Sequence, residues 1–168
     1  MKYIILTLFL CSTFFLFYEG LKNDPKIVPS NLIMKNIPKF KLKSLQNEFL
    51  QETDLMTDEP KLVNFFASWC PPCKIEHSNL IALSTDLKIY GIAKKNSEKD
   101  VQSWIDNRGN PYTNIGFDFD GMTSIEWGVY GLPETFLINR DKKIIYRHVG
   151  AITKKDLEKI KLILDNNK

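Results

Sequence analysis

The passage from Lys61–Phe66 into Trp69-Cys70-Pro71-Pro72-Cys73 constrains this chain more than any other feature of it. The run KLVNFF is short, apolar and rich in strand formers, the pattern of a buried central strand. Two prolines follow almost at once, and then Ile75, Leu80 and Leu83 recur at roughly helical spacing. Proline is tolerated only in the first turn of a helix, where its missing N–H leaves no bond unmade, so a helix must begin near the second cysteine. The two cysteines therefore occupy a strand-to-helix junction.

The rest of the C-terminal portion alternates in the same way. Residues 87–93 (LKIYGIA) read as a second strand, and Val101, Trp104 and Ile105 mark a second helix. Ser97 is placed to cap that helix, with Glu98 in its first turn. Residues 135–139 and 143–148 flank Arg140-Asp141-Lys142 and read as a hairpin. A last helix starts at Thr153, with Asp156 three residues on, and buries Leu157, Ile160, Ile163 and Leu164. Strand, helix, strand, helix, hairpin and helix make an α/β layered domain. Phe117 and Phe119 flank acidic residues in a loop, where core burial is the expectation.

The first residues obey a different rule. After Lys2 no charge occurs until Glu19, and residues 3–18 read YIILTLFLCSTFFLFY. As a helix this run covers roughly 24 Å, slightly short of a bilayer core unless its flanks contribute. It is apolar all round, unlike a helix that packs one face on a soluble core. Tyr18-Glu19-Gly20 puts Tyr where a cleavage site wants a small residue, and Leu10 before Cys11 is bulky where a lipoprotein box is small. An uncleaved anchor or a cleaved signal peptide fits this length; the reading favoured is an uncleaved signal anchor or transmembrane helix over residues 1–19, with Lys2 on the cytoplasmic side and the remainder exported. Residues 20–37 contain Pro25 and Pro29 and no aromatic residue, and read as an extended linker. Residues 38–168 are then one domain, long enough for a real core.

Composition excludes several classes. Lys plus Arg exceed Asp plus Glu by 23 − 20 = 3, with no basic stripe of the kind a nucleic-acid binder shows. Three cysteines cannot build a disulfide scaffold, and two histidines do not suit a histidine-rich metal enzyme. A bare C-x-x-C is also a zinc half-site, but Cys70, Cys73 and His77 supply three ligands at most. The expectation is no metal and no cofactor beyond a redox-active Cys70–Cys73 disulfide. A helix N-terminus favours a thiolate at the first cysteine, and the thiolate is the nucleophile of disulfide exchange. A second cysteine one turn away can release the resulting mixed disulfide.

Phe65-Phe66-Ala67-Ser68-Trp69-Cys70-Pro71-Pro72-Cys73, with Gly131-Leu132-Pro133-Glu134-Thr135-Phe136 far downstream, resembles the thioredoxin fold. The resemblance is closer to one branch, the membrane-anchored thiol:disulfide interchange proteins of cytochrome c maturation called CcmG or DsbE. It rests on PKFKLKSL from Pro38, WCPPCKIEH from Trp69, NPY from Asn110, FDFDGM from Phe117, GVYGLPETFLI from Gly128 and IIYRHVG from Ile144. The fold so implied is thioredoxin-like, a central mixed β-sheet flanked by helices, behind an N-terminal membrane anchor.

The resemblance also implies roles. Cys70 would attack and Cys73 resolve. Pro133 would be a cis residue facing the disulfide, with Leu132, Pro133 and Thr135 forming the substrate groove. Glu76, Tyr130, Glu134 and Trp69 would tune the site, the glutamates by opposing a nearby thiolate and so favouring a reductant, with a potential below roughly −180 mV. Trp69 is expected to pack beside the site, Tyr130 to pack in part, and His77 to face solvent or cap local backbone. Glu76 also fits an ordinary acid near a helix start. Asn64 stands where thioredoxin itself has a buried acid, leaving Glu76, Glu134 or water to handle protons. The implied protein is a single-pass inner-membrane dithiol reductant facing the periplasm. Its client would be apocytochrome c or a cytochrome-maturation thiol protein, and a membrane thiol transporter of the DsbD or CcdA type would recharge it. Two other readings stay open: a tethered reductase for another client, such as an oxidase copper site, and a thioredoxin-fold binding module without turnover.

Overall fold

A computed structural model describes residues 2–22 and 30–165. Helix α1 (Lys2–Leu21) is long and apolar enough to cross a membrane by length and composition. Part of the expected linker, residues 23–29, lies outside the described residues. Residues 30–37, the remainder of that linker, fold onto the domain instead of standing clear of it. The Met34 N–H donates to the Ile144 carbonyl, the Ile144 N–H donates to the Lys35 carbonyl, and Ile37 is buried.

Among the described residues the domain is one seven-stranded sheet in the order β2-β1-β5-β4-β3-β6-β7. The strands are β1 (Lys41–Ser44), β2 (Phe49–Gln51), β3 (Lys61–Phe66), β4 (Lys88–Lys94), β5 (Asn114–Asp118), β6 (Glu134–Ile138) and β7 (Ile144–Val149). β3, β4 and β5 run parallel, joined by α2 (Pro71–Leu83) and α3 (Glu98–Arg108). β6 returns antiparallel on β3, and β7 completes the expected hairpin. A short α4 (Met122–Glu126) follows β5, and α5 (Lys154–Asp165) closes the chain.

Each strand of the central trio is buried throughout or nearly so, which is why β3 reads as a continuous apolar run. One face packs Leu62 and Phe66 against Leu80 and Leu83 of α2, Val101 and Trp104 of α3, and Ile160 of α5. The other packs Val63 and Phe65 against Trp127, Phe136 and Leu55. There the rings of Phe65, Trp127 and Phe136 meet pairwise at 5.1–5.7 Å, in the tilted and edge-on arrangements aromatic pairs prefer. Lys61 is buried at the entrance to β3, with Nζ donating to the carbonyls of Leu55 and Thr57, and burial pushes its pKa down to about 8.

Strand β5 alternates Ile115 and Phe117 with Asn114, Gly116 and Asp118, yet all five residues are buried, Asn114 and Asp118 as hydrogen-bonding groups. Asn114 Oδ1 accepts from Ser44 Oγ, and the Asp118 carboxylate accepts the N–H groups of Thr123 and Ser124. Phe117 is core, as expected, but Phe119 is about half exposed with its ring stacked on Phe117 at 5.5 Å.

Gly91 of β4 lies opposite Asn64 of β3. A Cβ there would sit 2.8 Å from Phe66 Cε1 and 2.9 Å from Tyr112 Cδ1, two rings stacked at 4.7 Å. The missing side chain is what admits the Tyr112 ring. Gly91→Ala is therefore expected to destabilise the protein by about 1–3 kcal/mol through overpacking. Urea unfolding of the purified chain checks this, and an unchanged midpoint would contradict it.

Candidate active site

The site starts where β3 ends. Cys70 is the N-cap of α2, in extended conformation, and its Sγ accepts the Cys73 N–H at 3.4 Å. The helix thus begins at Pro71, two residues ahead of the second cysteine, as the prolines require. Both prolines fall where N–H groups have no intrahelical partner, so neither forfeits a bond. Cys70 and Cys73 form a disulfide. Cys70 is 3% exposed and Cys73 is fully buried, so Cys70 holds the sulfur a client could reach.

The loop before Cys70 is pinned from the turn between β4 and α3. Asn96 is buried, accepts the Ser68 N–H at 2.6 Å and donates to Ser68 Oγ at 2.9 Å. Trp69 donates its indole N–H to the Lys95 carbonyl at 3.2 Å while remaining 59% exposed. It presents an open apolar face at the rim. Lys95 itself adopts a positive φ of 48° at this turn.

The second part of the site comes from the segment leading into β6. The Leu132–Pro133 bond is cis, and Leu132 is half-buried against both core clusters. Because Phe65 pairs with Glu134, Pro133 lies at the end of the sheet from which the Cys70 loop leaves. Tyr130 is 83% exposed and takes no part in packing, contrary to expectation.

Glu134 is fully buried. One carboxylate oxygen accepts the N–H groups of Tyr130 and Gly131, and the other accepts from Arg147 Nε at 2.7 Å. Arg147 also donates to the Gly128 carbonyl at 2.9 Å. The pair clamps residues 128–131 ahead of the proline. With its charge answered by Arg147, Glu134 is poorly suited to oppose a thiolate at Cys70, and its visible task is to shape the loop. Arg147 escaped the sequence reading, although the hairpin register holds the signal: Phe136 pairs with Arg147, which makes Glu134 and Arg147 diagonal neighbours of opposite charge.

Glu76 is the other buried glutamate, and among the described residues it has no cationic partner. Its place in the second turn of α2 is in the interior, not on an exposed helix start. Oε1 accepts Asn64 Nδ2 at 2.9 Å and Oε2 accepts the Ile152 N–H at 2.9 Å. Burial outweighs these two bonds and pushes its pKa up to about 7. Asn64 Nδ2 also donates to Thr135 Oγ1 at 3.0 Å, and the Tyr112 hydroxyl donates to Asn64 Oδ1 at 2.9 Å. Lying three residues after Cys73 on one helix, Glu76 shares its face.

His77 does not face solvent. It is buried with Nε2 on the Gly109 carbonyl at 3.0 Å and its ring 4.9 Å from that of Trp104, and burial lowers its pKa. It ties α2 to the end of α3 and is not gathered with the sulfurs as a ligand.

A disulfide at a helix N-terminus, beside a cis-proline segment on this strand order, defines a thioredoxin-like thiol:disulfide oxidoreductase. Residues 34–163 match the Redoxin family. The chain is 43% identical over 133 residues to the thiol:disulfide interchange protein DsbE of Escherichia coli K12, covering 77% of this chain and 72% of that one. It is 39% identical over 134 residues to the thiol:disulfide interchange protein HelX of Rhodobacter capsulatus, covering 79% and 76%. A crystal structure of a DsbE protein from Chlorobium tepidum superposes with a TM-score of 0.68 at 24% identity, over 79% of this chain and 96% of that one, which shows the shared fold. The chain belongs to the DsbE family of thiol:disulfide interchange proteins.

The raised pKa of Glu76 fixes the sign of a stability effect. In the unfolded chain this carboxyl ionises near 4.5, and in the folded chain near 7. Between those values the folded state holds a proton that the unfolded state has lost, so stability falls as pH rises through this window. Relative to Glu76→Gln, the wild type is expected to lose on the order of 3 kcal/mol between pH 4.5 and pH 8. Urea unfolding at the two pH values checks this, and parallel pH dependence in both proteins would contradict it.

Proposed function

We propose that this protein is a membrane-tethered dithiol reductant that faces the periplasm and serves cytochrome c maturation. The observation that carries the chemistry is the disulfide at the start of α2, with Cys70 on the accessible side and Cys73 beneath it. The apolar helix α1 supports the tether. The client rests on resemblance: the GVYGLPETFLI and WCPPCKIEH segments resemble those of the cytochrome-maturation branch. Apocytochrome c, or a thiol protein that serves it, would arrive oxidised at its C-x-x-C-H cysteines. A thiol transporter of the DsbD or CcdA type would return this chain to the dithiol, and no cofactor other than the cysteine pair is required.

The Cys70 thiolate, favoured by the Cys73 N–H and the helix N-terminus, attacks one sulfur of the client disulfide. A Cys70–client bond forms, the client S–S bond breaks, and one client thiolate departs. Cys73 then gives its proton to the Glu76 carboxylate and attacks Cys70 Sγ. The Cys70–Cys73 disulfide forms and the second client thiolate leaves. Two electrons have passed to the client, and Glu76 afterwards passes its proton toward solvent or the departing thiolate. An acid ionising near 7 suits this exchange because a catalytic proton acceptor works best near the operating pH. Leu132 would offer backbone N–H and C=O groups for a strand-like contact with the client, beside Pro133 and Thr135.

The reading is tested with spheroplasts that carry the full chain and an externally added, oxidised C-x-x-C-H peptide. Cys73→Ser should accumulate a mixed disulfide through Cys70 in the membrane fraction, whereas Cys70→Ser should form none. Equal trapping by both variants would overturn the assignment of roles. A chain recovered in the supernatant would overturn the tether, and insulin reduced as fast as the peptide would overturn the client.

A further inference from the structure

We propose that Tyr112 is a positioning residue: its hydroxyl fixes the orientation of the Asn64 side-chain amide, and that orientation presents an N–H donor to Glu76. The inference deepens the reading of Glu76 as the acceptor of the Cys73 proton and rests on it for its relevance to the reaction.

The geometry begins at Gly91. Without a Cβ there, the Tyr112 ring lies across β4 and stacks on Phe66, which brings its hydroxyl 2.9 Å from Asn64 Oδ1. The other end of the same amide donates to Glu76 Oε1 at 2.9 Å and to Thr135 Oγ1 at 3.0 Å. Of the three partners, the threonine hydroxyl accepts either end of an amide. An ionised carboxylate accepts only, and so requires the NH2 end. The amide flipped by 180° would set Oδ1 against Glu76 Oε1, two acceptors in a buried site. That arrangement suits only a protonated Glu76. A donor at the far end of the amide therefore decides which charge state of Glu76 the site accommodates. Tyr112 is suited to be a constant donor because burial raises its own pKa well above the ordinary tyrosine range.

The other ionisable groups around Glu76 leave this role open. On α2, Cys73 is in the disulfide and burial keeps His77 toward its neutral form. From β3, β6 and the segment before α5 come Asn64, Thr135 and the Ile152 N–H, none of them charged. On β7, His148 pairs with Thr135 across the sheet and lies 3.8 Å from Asp156 of α5. The described contacts of Glu76 thus include no cation, and its proton affinity is set by burial, by Ile152 and by the Tyr112–Asn64 pair.

The test uses the full chain in detergent micelles, with glutamate labelled by 13C at the carboxyl and Glu76 assigned by the resonance lost in Glu76→Gln. Tyr112→Phe keeps the ring stack and removes one hydroxyl. It is expected to raise the titration midpoint of Glu76 by about half a pH unit or more, roughly a threefold gain in proton affinity. In an Asn64→Leu background, which should itself raise the midpoint, the same change is expected to add nothing, since the route through the amide is gone. An unmoved midpoint in Tyr112→Phe, or a shift that persists at full size without Asn64, would overturn the proposal. So would an Asn64→Leu chain whose Glu76 midpoint equals that of the wild type, a result that needs no folded Tyr112→Phe. The pH profile of peptide-disulfide reduction separates the two levels. A carboxyl midpoint that moves while the profile stays fixed supports the positioning by Tyr112 and overturns Glu76 as proton carrier.

Discussion

The active end of this molecule depends on a carboxylic acid held in the core with no counter-charge among the described residues. Moving an ion out of water is costly, and the group answers by keeping its proton to higher pH. Glu76 has two hydrogen bonds, one from Asn64 and one from Ile152, enough to hold it in place but not enough to restore its ordinary acidity. Those donors come from β3 and from the segment before α5, so the site is complete only when both have docked on α2. The fold and the raised pKa of this acid are in this sense one construction.

Glu134 is buried as deeply but meets a counter-charge. Arg147 meets it at 2.7 Å, and its remaining oxygen is occupied by backbone N–H groups. Removing one partner of such a pair leaves a buried charge unanswered, which is more costly than the pair itself is favourable. A paired carboxylate of this kind holds a loop in one shape, here the loop that ends at Pro133. Two glutamates that look alike as sequence neighbours of the cysteines and the proline divide into a proton-holding group and a scaffold. The division is made by one arginine.

Much of this was legible in the chain itself. The apolar run of β3, the prolines, the Ser97 cap, the hairpin and the last helix each follow from local rules, and each is present. The cysteine pair and Pro133 were legible through the WCPPC and GVYGLPET segments. Other features were not, and for stated reasons. β5 is buried through paired polar groups at Asn114 and Asp118, which a hydropathy pattern reads as loop. β1 and β2 are short, and β1 carries two lysines, typical of strands near a sheet edge. Tyr130 and His77 were misplaced because exposure is decided by tertiary docking: the first stands on a turn held from behind by Glu134, and the second is covered by Trp104 and the end of α3. Tyr112 meets Asn64 from far along the chain, which no local pattern encodes, whereas Arg147 meets Glu134 across the hairpin, where the register carries the signal.

In the proposed mechanism Glu76 takes the proton of Cys73 when the mixed disulfide resolves. The most direct measurement isolates that step. A mixed disulfide is formed between Cys70 and a small thiol on the full chain, and the rate of its release by Cys73 is followed from pH 5 to pH 9. The account predicts an inflection near pH 7 in the wild type, where Glu76 becomes available as a base. In Glu76→Gln that inflection should vanish, leaving a rate that climbs toward the pKa of an ordinary thiol, about 8.5. Superimposable profiles for the two proteins would contradict it.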